Sequence, residues 1–235
     1  MPFPPASLAA PRMDVAPYRL SGVVYGALLN HRDSLAALGA AALEPPYRGT
    51  PKGVVLCVKP RHALVACGGA VLVDGEVAEL EVRASIGFVI GTTMCAVAER
   101  DALAHVAGVL LVAECVVPHA SHFRPQIRAM ARDASCVLGD AVVPRREAGD
   151  VDATSLRVVV DGVLVQTSST ADHVRGAARL LAEVSDFMTL SPGDVLFTGS
   201  APGAPRVRAG ARVTVEADRL GRLDLRVAHD DRVHA

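Results

Sequence analysis

Apolar residues in this chain fall into short runs broken by glycine, proline and aspartate, and only one stretch holds a helical period for long. Residues 23–29 form a β-rich run that closes on Asn30-His31-Arg32. Residues 34–43, rich in alanine and leucine, predict a helix that ends at the loop Glu44-Pro45-Pro46-Tyr47-Arg48-Gly49. Short strands are predicted at 53–58, 63–66 and 70–73, separated by Lys59-Pro60 and Gly68-Gly69. The run 80–90 ends in Ile86-Gly87-Phe88-Val89-Ile90, the pattern of a buried strand. A helix is predicted over 99–106, stopped at Gly108, and a second apolar strand over 109–117, interrupted by one charge, Glu114. Two β-type runs, 156–160 and 163–167, flank Asp161-Gly162, a strong hairpin signal. Val174, Ala177, Ala178, Leu181, Val184 and Met188 keep helical spacing and predict the longest helix over 171–190, with Thr170 as N-cap. Ser191-Pro192-Gly193-Asp194 places proline and glycine where a type II turn needs them, and a last hairpin is predicted over 213–217 and 223–227.

Many short strands with few helices, and no regular alternation of strand and helix, indicate an α+β fold with a mostly antiparallel sheet system. The 235 residues divide into a proline-rich N-terminal arm, 1–20, and one domain, 21–230. An apolar fraction of 51% excludes wholesale disorder, and a net charge of −1 without a basic stripe argues against a nucleic-acid partner. No apolar run is long enough to span a membrane. The five cysteines, Cys57, Cys67, Cys95, Cys115 and Cys136, are odd in number and lack CxxC spacing, which reads as buried core thiols in a reducing, cytoplasmic setting. Arginine outnumbers lysine 22 to 2, which reads as a coding bias without functional content.

The order of Asn30-His31-Arg32-Asp33, Lys59-Pro60, Phe88-Val89-Ile90-Gly91, Ala107-Gly108, Arg132-Asp133, Leu190-Ser191-Pro192-Gly193-Asp194 and Thr198-Gly199-Ser200-Ala201-Pro202-Gly203 resembles the fumarylacetoacetate hydrolase family over residues 21–227. The resemblance implies a β-rich mixed sandwich roll. Pro45-Pro46-Tyr47, Phe123-Arg124-Pro125, Thr170-Ala171-Asp172 and Ser185-Asp186-Phe187-Met188-Thr189-Leu190 are similar to the branch of 4-hydroxyphenylacetate degradation. Members of that branch decarboxylate 5-oxopent-3-ene-1,2,5-tricarboxylate and isomerise 2-hydroxyhepta-2,4-diene-1,7-dioate. The likeness is greatest to the first of the two tandem halves found there, the half without the metal triad.

Loss of CO₂ next to a vinylogous carbonyl leaves a dienolate whose charge must be held. The resemblance implies that relatives hold it with Mg²⁺, a hard cation suited to oxygen ligands, bound by three carboxylates. The corresponding positions here carry Arg83, Ser85 and Glu114. A guanidinium at 83 repels a metal and is expected to pair with Glu114, so no cofactor is expected in this chain and Mg²⁺ is left to a partner subunit. Glu79 and Glu81 have the right spacing four residues early and read as a solvated strand end. The family's histidine and lysine positions fall on Ser34 and Met130. His31 reads either as a substitute base or as a polar cap at a strand-to-helix corner. The turn Thr198-Gly199-Ser200 reads equally as a carboxylate-binding turn and as a tight strand-closing turn. Arg124, Arg128 and Arg132, spaced by four, would line one helix face, either for a di- or tricarboxylate substrate or as a solvated basic row. His119 and His122 read as a surface pair. An oligomer, of one chain or with a related subunit, is expected.

Overall fold

The computed structural model describes residues 8–9, 22–74, 77–119, 121–122 and 126–229. Its elements run β1 (Leu8–Ala9), β2 (Val24–Leu28), α1 (Arg32–Leu38), β3 (Val55–Lys59), β4 (Leu64–Ala66), β5 (Ala70–Val73), β6 (Leu80–Ile90), α2 (Glu99–Ala102) and β7 (Val106–Val116). They continue with α3 (Ile127–Met130), β8 (Cys136–Leu138), β9 (Ala141–Pro144), β10 (Ser155–Val160), β11 (Val163–Ser169), α4 (Ala177–Phe187), β12 (Val195–Phe197), β13 (Arg206–Val207), β14 (Arg212–Ala217) and β15 (Gly221–His229). Two sheets result. The larger, ten-stranded and mixed, runs β1-β9-β7-β6-β12-β2-β3, with β13 on β6 and β4-β8 on β7; the smaller runs β11-β10-β14-β15-β5. This is the expected α+β, β-rich roll.

The antiparallel pair β6–β7 is the spine of the larger sheet, in register from Glu81 opposite Val116 to Val89 opposite Gly108, with a shift before Ile90 pairs with Val106. Both of its faces are buried, which is why its sequence is nearly unbroken in apolar residues. Val82, Ala84, Ile86, Phe88, Leu111 and Ala113 face the main core, where α4 and the smaller sheet pack. Leu110, Val112 and Val116 face a second, smaller core with Val24, Cys57, Met130, Cys136, Val195 and Phe197. The polar residues Arg83, Ser85 and Glu114 lie on that second face, because residues two apart on a strand share a side.

Turn chemistry decided several boundaries as the sequence indicates. Asp161 and Gly162 both take positive φ (49° and 82°), as a tight β10–β11 turn demands. Gly193 has φ 92°, and Asp194 closes its turn by accepting from Ser191 N (2.7 Å) and Val23 N (2.6 Å). The longest helix is shorter than its apolar period suggests. Residues 173–175 are drawn out of helix by Asn30 and His31: His31 bridges to His173, Val174 N donates to Asn30 O (2.8 Å), and Arg175 N donates to Asn30 Oδ1 (3.0 Å). The helix α4 therefore starts only after Gly176, and Asp152 Oδ1 accepts from Ala177 N (2.6 Å). Thr170 is not its cap; it sits in a preceding 3₁₀ turn whose cap is Ser169.

The expectation that all five cysteines are core thiols holds for Cys57, Cys115 and Cys136, and fails for the half-buried Cys67 and the exposed Cys95. The arginine row does not form. Arg124 lies outside the described residues, α3 is a four-residue turn of helix, and Arg132 lies beyond its end, ion-paired with Asp74. The chain must leave the helix there to enter the buried strand β8.

Gly26 on β2 lies under the buried ring of Phe197, where a Cβ would approach ring carbon Cζ to 1.9 Å. Gly26→Ala is expected to destabilise the protein by about 1–3 kcal/mol, and adding Phe197→Leu should recover part of it. Chemical denaturation of the three proteins checks this.

Candidate active site

The register of β6 on β7 sets Arg83 directly opposite Glu114, with Ser85 two residues along on the same face. The three positions expected to correspond to metal ligands therefore lie together on one face. Ser85 and Glu114, however, are already committed within the protein. Ser85, 1% exposed, donates to Gly199 O (2.8 Å) and lies 3.2 Å from Thr198 Oγ1. It thereby ties β6 to the turn after β12. Glu114, 3% exposed, is ion-paired with the fully buried ammonium of Lys59, which also donates to Met130 O (2.6 Å). Burial pulls the pKa of Lys59 down, but the charge of Glu114, the neighbouring Cys136 and Cys57 and the hydrogen bond to Glu114 together outweigh it, leaving it above its ordinary value.

The expected Arg83–Glu114 ion pair is thus not made. Lys59 takes the carboxylate, and Arg83 instead donates through Nη2 to Glu81 Oε2 (2.9 Å), its neighbour on the same strand face. Nor are Glu79 and Glu81 a solvated strand end. Arg206 lies 3.0 Å from Glu79 and 3.6 Å from Glu81, and Arg208 lies 3.6 Å from Glu79.

A cavity of about 430 Å³ opens over this face. Ser34, Glu81, Arg83, Glu114, His122 and the turn 199–204 line it, with the half-exposed Arg206. Gly199 has φ 91°, and a Cβ there would meet Ala27 O at 2.6 Å, so the turn requires glycine. Asn30 fixes it from behind, donating to Thr198 O (2.9 Å) and Arg175 O (3.1 Å). Thr198 itself is buried against Ser85, so Gly199 and Ser200 are the turn residues that reach the cavity.

His122 is held on the wall by its backbone N–H, which donates to the Tyr47 hydroxyl (2.7 Å). Its ring meets that of His119 edge-on with centroids 5.7 Å apart. Burial first, then the charge of Arg83, lower its pKa, so the imidazole is neutral at neutral pH. Sequence reasoning set this pair on the surface; its place is visible only once Tyr47 is seen to pin the segment.

The other sequence candidates sit as follows. Ser34 lines the cavity. His31 is the N-cap of α1: its Nδ1 accepts from Asp33 N (3.2 Å) and its ring stands edge-on to His173. The Met130 side chain is in the smaller core, and its carbonyl receives Lys59. Arg128 borders a separate hollow with Asp74, Arg132 and Asp133.

A profile of the fumarylacetoacetate (FAA) hydrolase C-terminal domain matches residues 23–228. The chain belongs to the fumarylacetoacetate hydrolase family. It is 32% identical over 200 residues to the 4-hydroxyphenylacetate degradation bifunctional isomerase/decarboxylase of Escherichia coli, covering 85% of this chain and 45% of that protein. It is 33% identical over 213 residues to the protein of the same name from Salmonella dublin, covering 90% and 48%. The chain therefore spans about half the length of these relatives. Among solved structures, fumarylpyruvate hydrolase from Pseudomonas aeruginosa in complex with Mn²⁺ and pyruvate superposes with TM-score 0.76 at 21% identity, covering 97% of this chain and 99% of that one. That likeness establishes the fold.

A divalent ion does not fit the residues present. The three positions offer one carboxylate, a guanidinium and a committed hydroxyl, and the carboxylate is neutralised by Lys59. Among the described residues no cluster of three or more His, Cys, Asp or Glu side chains is arranged to hold a metal.

Lys59→Met should strand a buried Glu114 carboxylate and cost about 3–5 kcal/mol, and Lys59→Met with Glu114→Gln should regain much of it. Urea titrations of both variants measure this; a single variant as stable as the parent would contradict the burial of the pair. His173 gives a pH signature. Burial, then His31, pull its pKa down to about 4 from an ordinary value near ~6.5. Its folded pKa being lower, the unfolded chain binds the extra proton between those values. This contribution is complete above about pH 6.5 and is lost as pH falls towards 4, up to roughly 3 kcal/mol. His173→Gln should flatten that part of the stability–pH curve.

Proposed function

We propose that the chain is a subunit of the isomerase/decarboxylase type in 4-hydroxyphenylacetate catabolism, acting in the cytoplasm as part of an oligomer. Its substrates on this reading are the dicarboxylate and tricarboxylate of that branch, 2-hydroxyhepta-2,4-diene-1,7-dioate and 5-oxopent-3-ene-1,2,5-tricarboxylate. Its metal site is degenerate, and the pocket works without an ion of its own. The identity of 32–33% to the bifunctional enzymes supports the branch. The observation that carries the reading is the cavity of about 430 Å³ lined by Arg83 and Glu114. An oligomer accords with β11, an edge strand that exposes Val163, Leu164 and Val165 and carries no charge to discourage pairing.

A second reading is a non-catalytic partner that completes an assembly with a metal-competent sister chain. It is supported by the ion pair of Glu114 with Lys59, which leaves that carboxylate unavailable to an ion in this chain.

The two separate by calorimetric titration of the full chain with 2-oxoheptanedioate, a saturated seven-carbon analogue, in chelator and then in Mg²⁺. The first reading expects saturable binding that Mg²⁺ changes by less than about twofold, less than ~0.5 kcal/mol. Binding absent from this chain alone and gained on co-purification with a sister chain would favour the second.

A further inference from the structure

We infer that Arg83 is the specificity-determining group of the cavity, a built-in cation that receives the 2-oxo-carboxylate end of the substrate where relatives would use a metal ion. The inference rests on the proposed reading that the cavity takes an oxo-dicarboxylate, and it goes beyond it by assigning the group that recognises that end.

Strand register sets Arg83 opposite Glu114, and its side chain is 12% exposed and lines the cavity. A guanidinium carries five N–H donors in a planar fork. One hydrogen bond, from Nη2 to Glu81, is found for it among the described residues. The rest of the fork is available for the paired oxygens of a carboxylate and its adjacent ketone, a bidentate geometry that an ammonium cannot reproduce.

Two neighbours prepare the site. Lys59 neutralises Glu114, so the carboxylate across the strand pair from Arg83 does not repel an anion. Glu81 orients the guanidinium but does not depend on it, since Arg206 also lies 3.6 Å from Glu81. The neutral imidazole of His122 adds no competing charge on the wall. In an enolisation, electron density moves from the C3–H bond into the C2–C3 bond and on to the ketone oxygen, and the proton leaves to a base. The guanidinium would stabilise that oxyanion by hydrogen bonds alone, with no bond to it made or broken.

The test uses the full chain in chelator, with 2-oxoheptanedioate as probe and calorimetry as readout. Arg83→Gln should weaken binding about thirtyfold or more, with the melting temperature little changed because Glu81 keeps Arg206. Arg83→Lys, which keeps the charge and loses the fork, should fall between. Arg83→Ala should lose affinity likewise and regain part of it in millimolar guanidinium, a rescue that a purely structural role does not give. Wild-type binding that requires Mg²⁺, or Arg83→Gln binding as tightly as wild type, overturns the inference and leaves the oxo-dicarboxylate reading intact. A wild-type chain that does not bind the probe overturns both. Should Arg83→Gln fail to fold, Arg83→Lys and the guanidinium rescue still decide.

Discussion

The buried ion pair between Lys59 and Glu114 is the constraint around which the site is organised. Lys59 ends β3, the edge of the larger sheet, and Glu114 lies on β7; β6, β12 and β2 stand between them in strand order. The pair therefore forms across the curl of the sheet and not along it. Two charges withdrawn from water cost several kcal/mol each, and that cost is offset only when every group is matched. Here the carboxylate meets the ammonium, and the ammonium also meets Met130 O. The thiols around it stay protonated, with Cys57, Cys115 and Cys136 each pushed up to about 12 by burial first and, for all three, with Glu114 contributing. A carboxylate in this place needs a cation. In this chain the cation is covalently part of the protein.

From that follows the rest of the cavity floor. Because Glu114 is taken, Arg83 turns along its own strand to Glu81, and Ser85 closes on the Thr198–Gly199 turn. The outcome is a pocket in which the partly buried guanidinium of Arg83 borders the open space. The fold superposes on an Mn²⁺-bearing hydrolase, and at this face the one carboxylate of the three positions is held by a side-chain cation.

Much of the fold was legible in the sequence because local rules and tertiary context agreed. The Asp161-Gly162 hairpin, the Ser191–Asp194 turn and the doubly buried β6 and β7 all combine a clear pattern with matching turn residues. The helix α4 was overextended because its apolar period continues through 171–176, where Asn30 and His31, distant in sequence, claim the backbone. The arginine row failed for a related reason: spacing by four has meaning only where a helix lasts more than one turn. At the site, motif order pointed to Arg83, Ser85 and Glu114, and strand register sets them on one face. What it did not give was the partner of Glu114. Lys59 is one of only two lysines beside 22 arginines, an imbalance read as coding bias, and its reach across the curled sheet is a property of the closed roll.

The central claim is that protein cations stand where relatives of this fold would place a metal. Anomalous diffraction from crystals of the full chain grown with Mn²⁺ and 2-oxoheptanedioate addresses it most directly. The account predicts no manganese peak at Glu114, the Lys59 ammonium still against that carboxylate, and the oxo-carboxylate seated on Arg83. A manganese peak at bonding distance from Glu114, about 2 Å for a hard divalent ion on oxygen, with Lys59 displaced, would contradict it.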